Sequence, residues 1–361
     1  MHVLDRRRIL KAATAGTMLG AFAKGLGGGA AFGTDTVPVR LWLQSQWWTD
    51  EYAAACEKSI AVRIQNTTTA NNPTTFAKLM AGGGRDVDAV QIAGPFIPPM
   101  ADKGILQPID LSQIPNAKAL YPDFQKPDYV LGKDGKQYGV PFVWGYDSLL
   151  YNADKVAQSD SFGVLYDDKY KGRIGLRDDA FFGLSTAALY LGKEQPFALN
   201  AKDLQEVKKF LISKKPIIRT FWSSFADVVT LMKNGDIWAT AGWLPIYWVL
   251  KQTEKMNVRY PVPREGAPGW VACFVIPKET KSVEAVHKYI NWMLSAEWAM
   301  PIARDKGYYS TGALGVPGLP AEIKQALNID NLDALMKRLK WSGFPPNLQD
   351  WTEAWTEFKA A

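Results

Sequence analysis

From residue 37 onward, short apolar runs alternate with stretches whose apolar residues recur every three or four positions. That is the pattern of strands alternating with helices in α/β architecture. VPVRLWLQ predicts a strand, and WTDEYAAACEKS a following helix with Thr49 as N-cap, since a threonine oxygen can accept a free N–H of the first turn. AVRIQN and VDAVQIAG read as further strands, and NPTTFAKLMAGG as a helix closed by glycines. YGVPFVWG and DSLLYN read as two extended pieces joined by Gly145 and Tyr146. The alternation continues through GRIGLRD, the helices FFGLSTAALYLG and NAKDLQEVKKFLISK, then PIIRTFW, SSFADVVTLMKNG and the strand DIWATAGW. VRYPVP and WVACFVIP are strands, SVEAVHKYINWMLS is an amphipathic helix, and short helices separated by Gly and Pro follow Pro320. No internal repeat, heptad array or low-complexity tract interrupts this series.

The first 33 residues do not belong to the pattern. DRRRILK is followed by a weakly apolar, Gly- and Ala-rich stretch ending near Gly33. A charged head, a mildly hydrophobic middle and small residues at the end describe an export signal. The segment resembles a twin-arginine signal, with Arg6, Arg7, Ile9, Leu10 and Lys11 in the matching places and Asp5 where Ser or Thr is usual. Lys24 and the glycines argue against a membrane span. GLGGGA fits a dinucleotide-binding pattern only formally, because no strand precedes it.

This segment also changes the reading of the charge. The chain of 361 residues carries +6, but Arg6, Arg7, Arg8, Lys11 and Lys24 against Asp5 place +4 of it before residue 34. The remainder holds +2 and no basic stripe, so a nucleic acid is not expected as a partner. The length allows two domains with a sizeable core. Fourteen tryptophans are more than packing demands, and indoles are favoured where a large face meets a ligand.

Much enzymatic chemistry is missing. Of two histidines, His2 lies in the signal and His287 in a helix, where a structural role is expected, so no Ser-His-Asp triad and no His-based metal site can form. There is no G-x-S-x-G elbow, no phosphate loop and no C-x-x-C. No cofactor or metal is expected. Among secreted enzymes only a carboxylate-pair hydrolase acting on a sugar survives as an alternative. Cys56 and Cys273 could form a disulfide in an oxidising compartment, or remain buried free thiols.

The stretch LWLQSQWWTDEY places two tryptophans, two acids and a tyrosine on one turn after the first strand. In α/β sheets, ligands sit at the carboxyl ends of strands, so this turn is expected on a binding cleft. YGVPFVWGYDSLLYNADKV resembles the hinge-crossing segment of periplasmic substrate-binding proteins of ABC importers, in particular the branch containing the spermidine/putrescine-binding proteins. YVLGKDGKQYGVP, KNGDIWATAGW, WVACFVIPKETKSVEAVHKYINWML and KGYYSTG agree with it in order and spacing, over roughly residues 38–315.

The resemblance implies a type II periplasmic binding protein fold: two α/β lobes joined by two crossover strands, with the ligand cleft between them. The lobes are expected over 34–145 plus 271–319 and over 146–270, with crossovers near Gly145–Tyr146 and Gly269–Trp270 and a tail, 320–361, packing across the first lobe. It implies a secreted, periplasmic, monomeric receptor that is not an enzyme and that hands a small cationic or zwitterionic molecule to a membrane permease.

By the same resemblance, Trp48 and Asp50 match positions that box and charge-pair an ammonium group, leaving Trp47 to pack against the lobe. Trp243 and Trp270 match aromatic box positions, Asp179 a carboxylate, and Tyr308 a cleft tyrosine, with Tyr309 as its alternative; Tyr146 is either hinge or ligand contact. Two carboxylates of the polyamine binders are here Ala272 and Phe182, which disfavours a long polycation because its ammonium groups would be buried unpaired. Arg219, between PII and TFWSS, is expected to form a positive end with the following helix start and to receive an anion.

Overall fold

The computed structural model describes residues 36–345 and 347–361, so the export segment assigned to 1–33 lies outside the described residues. The strands are β1 (Val37–Leu43), β2 (Val62–Thr68), β3 (Ala89–Ala93), β4 (Leu106–Gln107), β5 (Val140–Asn152), β6 (Ile174–Arg177), β7 (Ile218–Trp222), β8 (Ala239–Trp243), β9 (Val258–Arg259), β10 (Ala267–Pro277), β11 (Tyr309–Ser310) and β12 (Leu339–Trp341). Their main order is β2-β1-β3-β10-β5-β8-β6-β7. β1, β2 and β3 are parallel, as are β6, β7 and β8, because each member is reached through a helix. β10 and β5 run antiparallel between the two groups.

The sequence predicted two extended pieces around Gly145 and Tyr146; the structure has one 13-residue strand. β5 pairs with β10 up to Tyr146 and with β8 from Asp147 onward, so it leaves one half of the sheet and enters the other without a turn. A crossover made of continuous strand keeps two lobes in defined register while allowing a hinge. Its residues are buried as far as Tyr151, although Asp147 and Ser148 sit in the middle.

Helices cover the sheet as the periodicity predicts. Thr49 accepts the Tyr52 N–H at the start of helix Asp50–Ile60, and Ser224 with Asp227 forms a complete capping box for Phe225–Lys233. His287 is structural: Nε2 accepts the Asp110 N–H at 3.0 Å, which leaves Nδ1 to donate to the Val283 carbonyl at 2.8 Å. Helix Ala296–Lys306 was not foreseen, because Pro301 interrupts its pattern. It ends at Gly307, whose φ of +70° turns the chain so that Tyr308 and Tyr309 follow at once. Cys56 and Cys273 are free and buried, and burial pushes the Cys56 thiol up to about 12, so it is an inert core group.

The tail reaches beyond the first lobe on which the sequence placed it. Leu327, Leu332, Leu335, Met336 and Leu339 join the core around β1, β3 and β10, and β12 adds a parallel edge to β10. Phe344 then packs between Phe76 and Phe96 at 5.7 and 5.4 Å. The final helix, Leu348–Ala360, instead puts Trp351, Ala354, Trp355 and Phe358 into the core around β6 and helix Ala180–Tyr190. The chain therefore passes between the two halves a third time.

Candidate ligand-binding site

The groups that could hold a ligand collect where β1, β6 and β8 end and β5 meets β10. β1 ends in a turn that puts Trp47 against Tyr308, with ring centroids 4.4 Å apart, and against Phe142 and Trp270 at 5.9 and 6.1 Å. Trp270 and Tyr308 lie 6.3 Å apart. Trp270 pairs across the ladder with Gly145, and a Cβ at 145 would lie 2.5 Å from the indole ring. Glycine is needed there so that the ring can lie down on β5. A Gly145→Ala variant is expected to push the indole off the strand, changing near-ultraviolet dichroism and weakening ligand binding about tenfold by loss of a ring face. Unchanged affinity would show that the ring position does not matter to binding.

The opposite wall is polar. Asp147, 2% exposed, accepts from Arg177 Nη1 at 2.7 Å. Arg177, the last residue of β6, also donates through Nη2 to Asp179 at 3.0 Å. Asp179 caps helix Ala180–Tyr190 by accepting the Phe182 N–H at 3.1 Å. The Arg177 guanidinium lies 4.4 Å from the Phe182 ring centroid and 4.9 Å from that of Trp243. Burial raises the Asp147 carboxyl to about 6; Arg177 opposes the rise, Asp179 adds to it, and the nearby Trp270 indole N–H opposes it. Burial likewise raises Tyr308, and Asp147 adds to that shift.

Several polar atoms here are buried without a hydrogen-bond partner: Asp147 Oδ1, Arg177 Nε, Trp270 Nε1 and Trp47 Nε1. Such atoms also occur elsewhere, at Asn66, Gln91, Tyr129, Glu265 and Trp298 among others. Four belong to this group of residues, and buried polar groups without a partner are costly.

The residues expected from sequence divide. Trp270, Tyr308, Trp243 and Asp179 come together here, although Trp243 and Asp179 hold the chain's own Arg177. Trp47 packs in the core as expected, against Trp270 and Tyr308, and the half-buried Trp48 lies 6.3 Å from Tyr289 in helix Val283–Met293. Trp47 closes the tight turn Ser45–Trp47 and Trp48 is extended, so adjacent side chains leave in different directions. Asp50 stands exposed at the first position of its helix. Tyr146 faces the other side of β5, with Tyr260 at 5.4 Å and Tyr309 at 6.4 Å, so it belongs to the hinge packing rather than to the wall that carries Asp147.

Arg219 is not at a strand end. It is the second residue of β7, exposed, at the point where the ladder skips from Ile218 to Thr220. It lies three residues, roughly 10 Å, before the end of β7, and the helix it was expected to serve begins only at Phe225. Asp147 and Arg177 were missed. Their signal was available: an acid in the middle of an otherwise apolar strand, and an arginine closing one.

The sequence pattern of the bacterial extracellular solute-binding proteins matches residues 47–331, most of the chain. The chain belongs to that family. The putrescine-binding periplasmic protein PotF of Escherichia coli is 26% identical over 300 residues, covering 77% of this chain and 80% of its own. The spermidine/putrescine-binding periplasmic protein 1 of Haemophilus influenzae is 25% identical over 335 residues, covering 92% and 91%. The spermidine/putrescine ABC transporter substrate-binding protein PotD of Streptococcus pneumoniae superposes with a TM-score of 0.74 at 22% identity, covering 90% of this chain and 98% of that one. The fold is therefore the two-lobed type II periplasmic binding protein fold. These relatives are binding proteins rather than enzymes, and so is this member of the family; the hydrolase alternative falls.

Proposed function

We propose that this solute-binding protein is exported to the periplasm, captures one small zwitterionic or monocationic organic molecule between its lobes and delivers it to the permease of an ABC importer. An amino acid derivative, betaine or opine has the required chemistry. The lobes are those expected from sequence, 34–145 with 271–319 and 146–270, and the receptor acts as a monomer. The unpaired buried atoms carry this reading: one acceptor, Asp147 Oδ1, and the donors Arg177 Nε and Trp47 Nε1, the Trp270 indole N–H already lying towards Asp147. A ligand ammonium answers the acceptor and can lie against the Trp270 and Tyr308 rings, where exclusion of water strengthens the attraction. A ligand carboxylate answers the donors. A polyamine offers donors only and would leave the Arg177 and Trp47 donors unpaired.

The relatives' names speak for polyamines, and the local chemistry of this chain speaks against the longer ones, since Ala272 is buried apolar β10 backbone and Phe182 covers Arg177. Expression of the full chain, recovery of processed protein from the periplasm and mass spectrometry of what it carries test the reading. A molecule with one amino or quaternary ammonium group, at near one per chain, is expected. Recovery of spermidine would overturn the ligand class, and retention of the protein in the cytoplasm would overturn export.

A further inference from the structure

Arg177 occupies a setting made for a cation. Two aromatic faces, Phe182 and Trp243, and two carboxylates, Asp147 and Asp179, surround its guanidinium. That combination is also how a protein receives a ligand ammonium: ring faces attract the charge and carboxylates neutralise it. Here the charge is supplied by the chain and is permanent, because an arginine does not lose its proton. It is also fixed. Its two bonds run to β5 and to the cap of helix Ala180–Tyr190, and the side chain is only 8% exposed.

A diamine needs two such settings a few bonds apart. The free oxygen of Asp147, beside Trp270 and Tyr308, can receive one ammonium, and the setting between Phe182, Trp243 and Asp179 is filled by Arg177. A second ammonium here would have to compete with Arg177 for Asp147 and Asp179, both already engaged by it, whereas a carboxylate would meet the unpartnered Nε–H. We propose that Arg177 is the specificity-determining residue of this site, a resident cation that takes the place of a second ligand ammonium and turns a diamine-type site into one for an amino acid. This rests on the binding-protein reading above and adds the group that sets the ligand's charge pattern.

Putrescine and γ-aminobutyrate test it, being four-carbon chains that differ in one terminal group. Calorimetry would titrate both into the wild-type protein, Arg177→Gln and Arg177→Lys. The wild type is expected to prefer γ-aminobutyrate. Arg177→Gln is expected to reverse the order, losing at least about tenfold for γ-aminobutyrate and gaining at least about tenfold for putrescine. Arg177→Lys keeps the charge and is expected to keep the wild-type order, with weaker binding of γ-aminobutyrate because an ammonium lacks the fork. Equal ratios in the wild type and Arg177→Gln would reduce Arg177 to a structural tie and overturn the inference while leaving the function reading intact. If Arg177→Gln does not fold, gain of putrescine binding by Arg177→Lys overturns it instead. Binding of neither probe by the wild type would overturn both.

Discussion

Asp147→Asn is expected to weaken capture of an amine ligand about a hundredfold, the effect of about 2.7 kcal/mol when one member of a buried charge pair is truncated. Asp147 Oδ1 is a buried acceptor without a partner, and the other oxygen of the carboxylate accepts from Arg177. The same residue makes binding pH-dependent. Its folded carboxyl is raised to about 6, above the ordinary aspartate value. A raised acid is neutral in the fold over a range where it is charged in the unfolded chain. Asp147 therefore costs the free protein stability as pH rises from the ordinary value towards about 6, and that cost is relieved on acidification. A ligand ammonium requires the ionised form, so affinity should fall as pH drops below about 6. Calorimetry at about pH 5 and about pH 7 should show roughly tenfold weaker binding at the lower value for the wild type and little change for Asp147→Asn. Equal wild-type affinities at both would show that Asp147 does not meet the ligand's charge.

Trp355→Ala should lower the stability of the protein by about 3–5 kcal/mol, as for other buried large-to-small changes. The indole fills the space over Gly183, where a Cβ would lie 2.4 Å from the ring, and its Nε1 donates to Asp178 at 2.8 Å. It also meets Phe221 at 5.9 Å and Phe358 at 5.2 Å. Lys359 donates to the same Asp178 at 2.7 Å, so the end of the chain is bound by packing and by charge together. Denaturant melts followed by far-ultraviolet dichroism would measure the loss. A change below about 1 kcal/mol would mean that the last helix is a covering and not part of that core. The functional consequence follows from position: the helix that Gly183 belongs to is the one whose N-cap, Asp179, holds Arg177.

The alternation of apolar runs and helical periodicity was enough for the α/β class, for most strands and for caps such as Thr49 and Ser224. Those features depend on neighbours in the chain, which a sequence displays directly. Trp243, Asp179 and Tyr308 stand at or beside the ends of elements, where a sequence points directly, whereas Trp270 lies inside β10. What could not be read was direction. Whether Trp47 or Trp48 faces Trp270 depends on one tight turn, and a shift of one residue sends a side chain to the other face. The same holds for β5, where Tyr146 and Asp147 are neighbours with opposite surroundings. Arg219 was placed by its nearness in sequence to a helix start, but a skipped residue in the β6–β7 ladder leaves it in solvent. Arg177 gains its meaning only when β5, β6, β8 and the helix capped by Asp179 are assembled, because two carboxylates and two rings from three other elements converge on it. The sequence by itself determined the class of fold, the family and the kinds of group available to a ligand. The tertiary structure alone decided which of those groups face one another and which charge the chain already satisfies, because pairing of charges is a matter of distance in space and not of spacing along the chain.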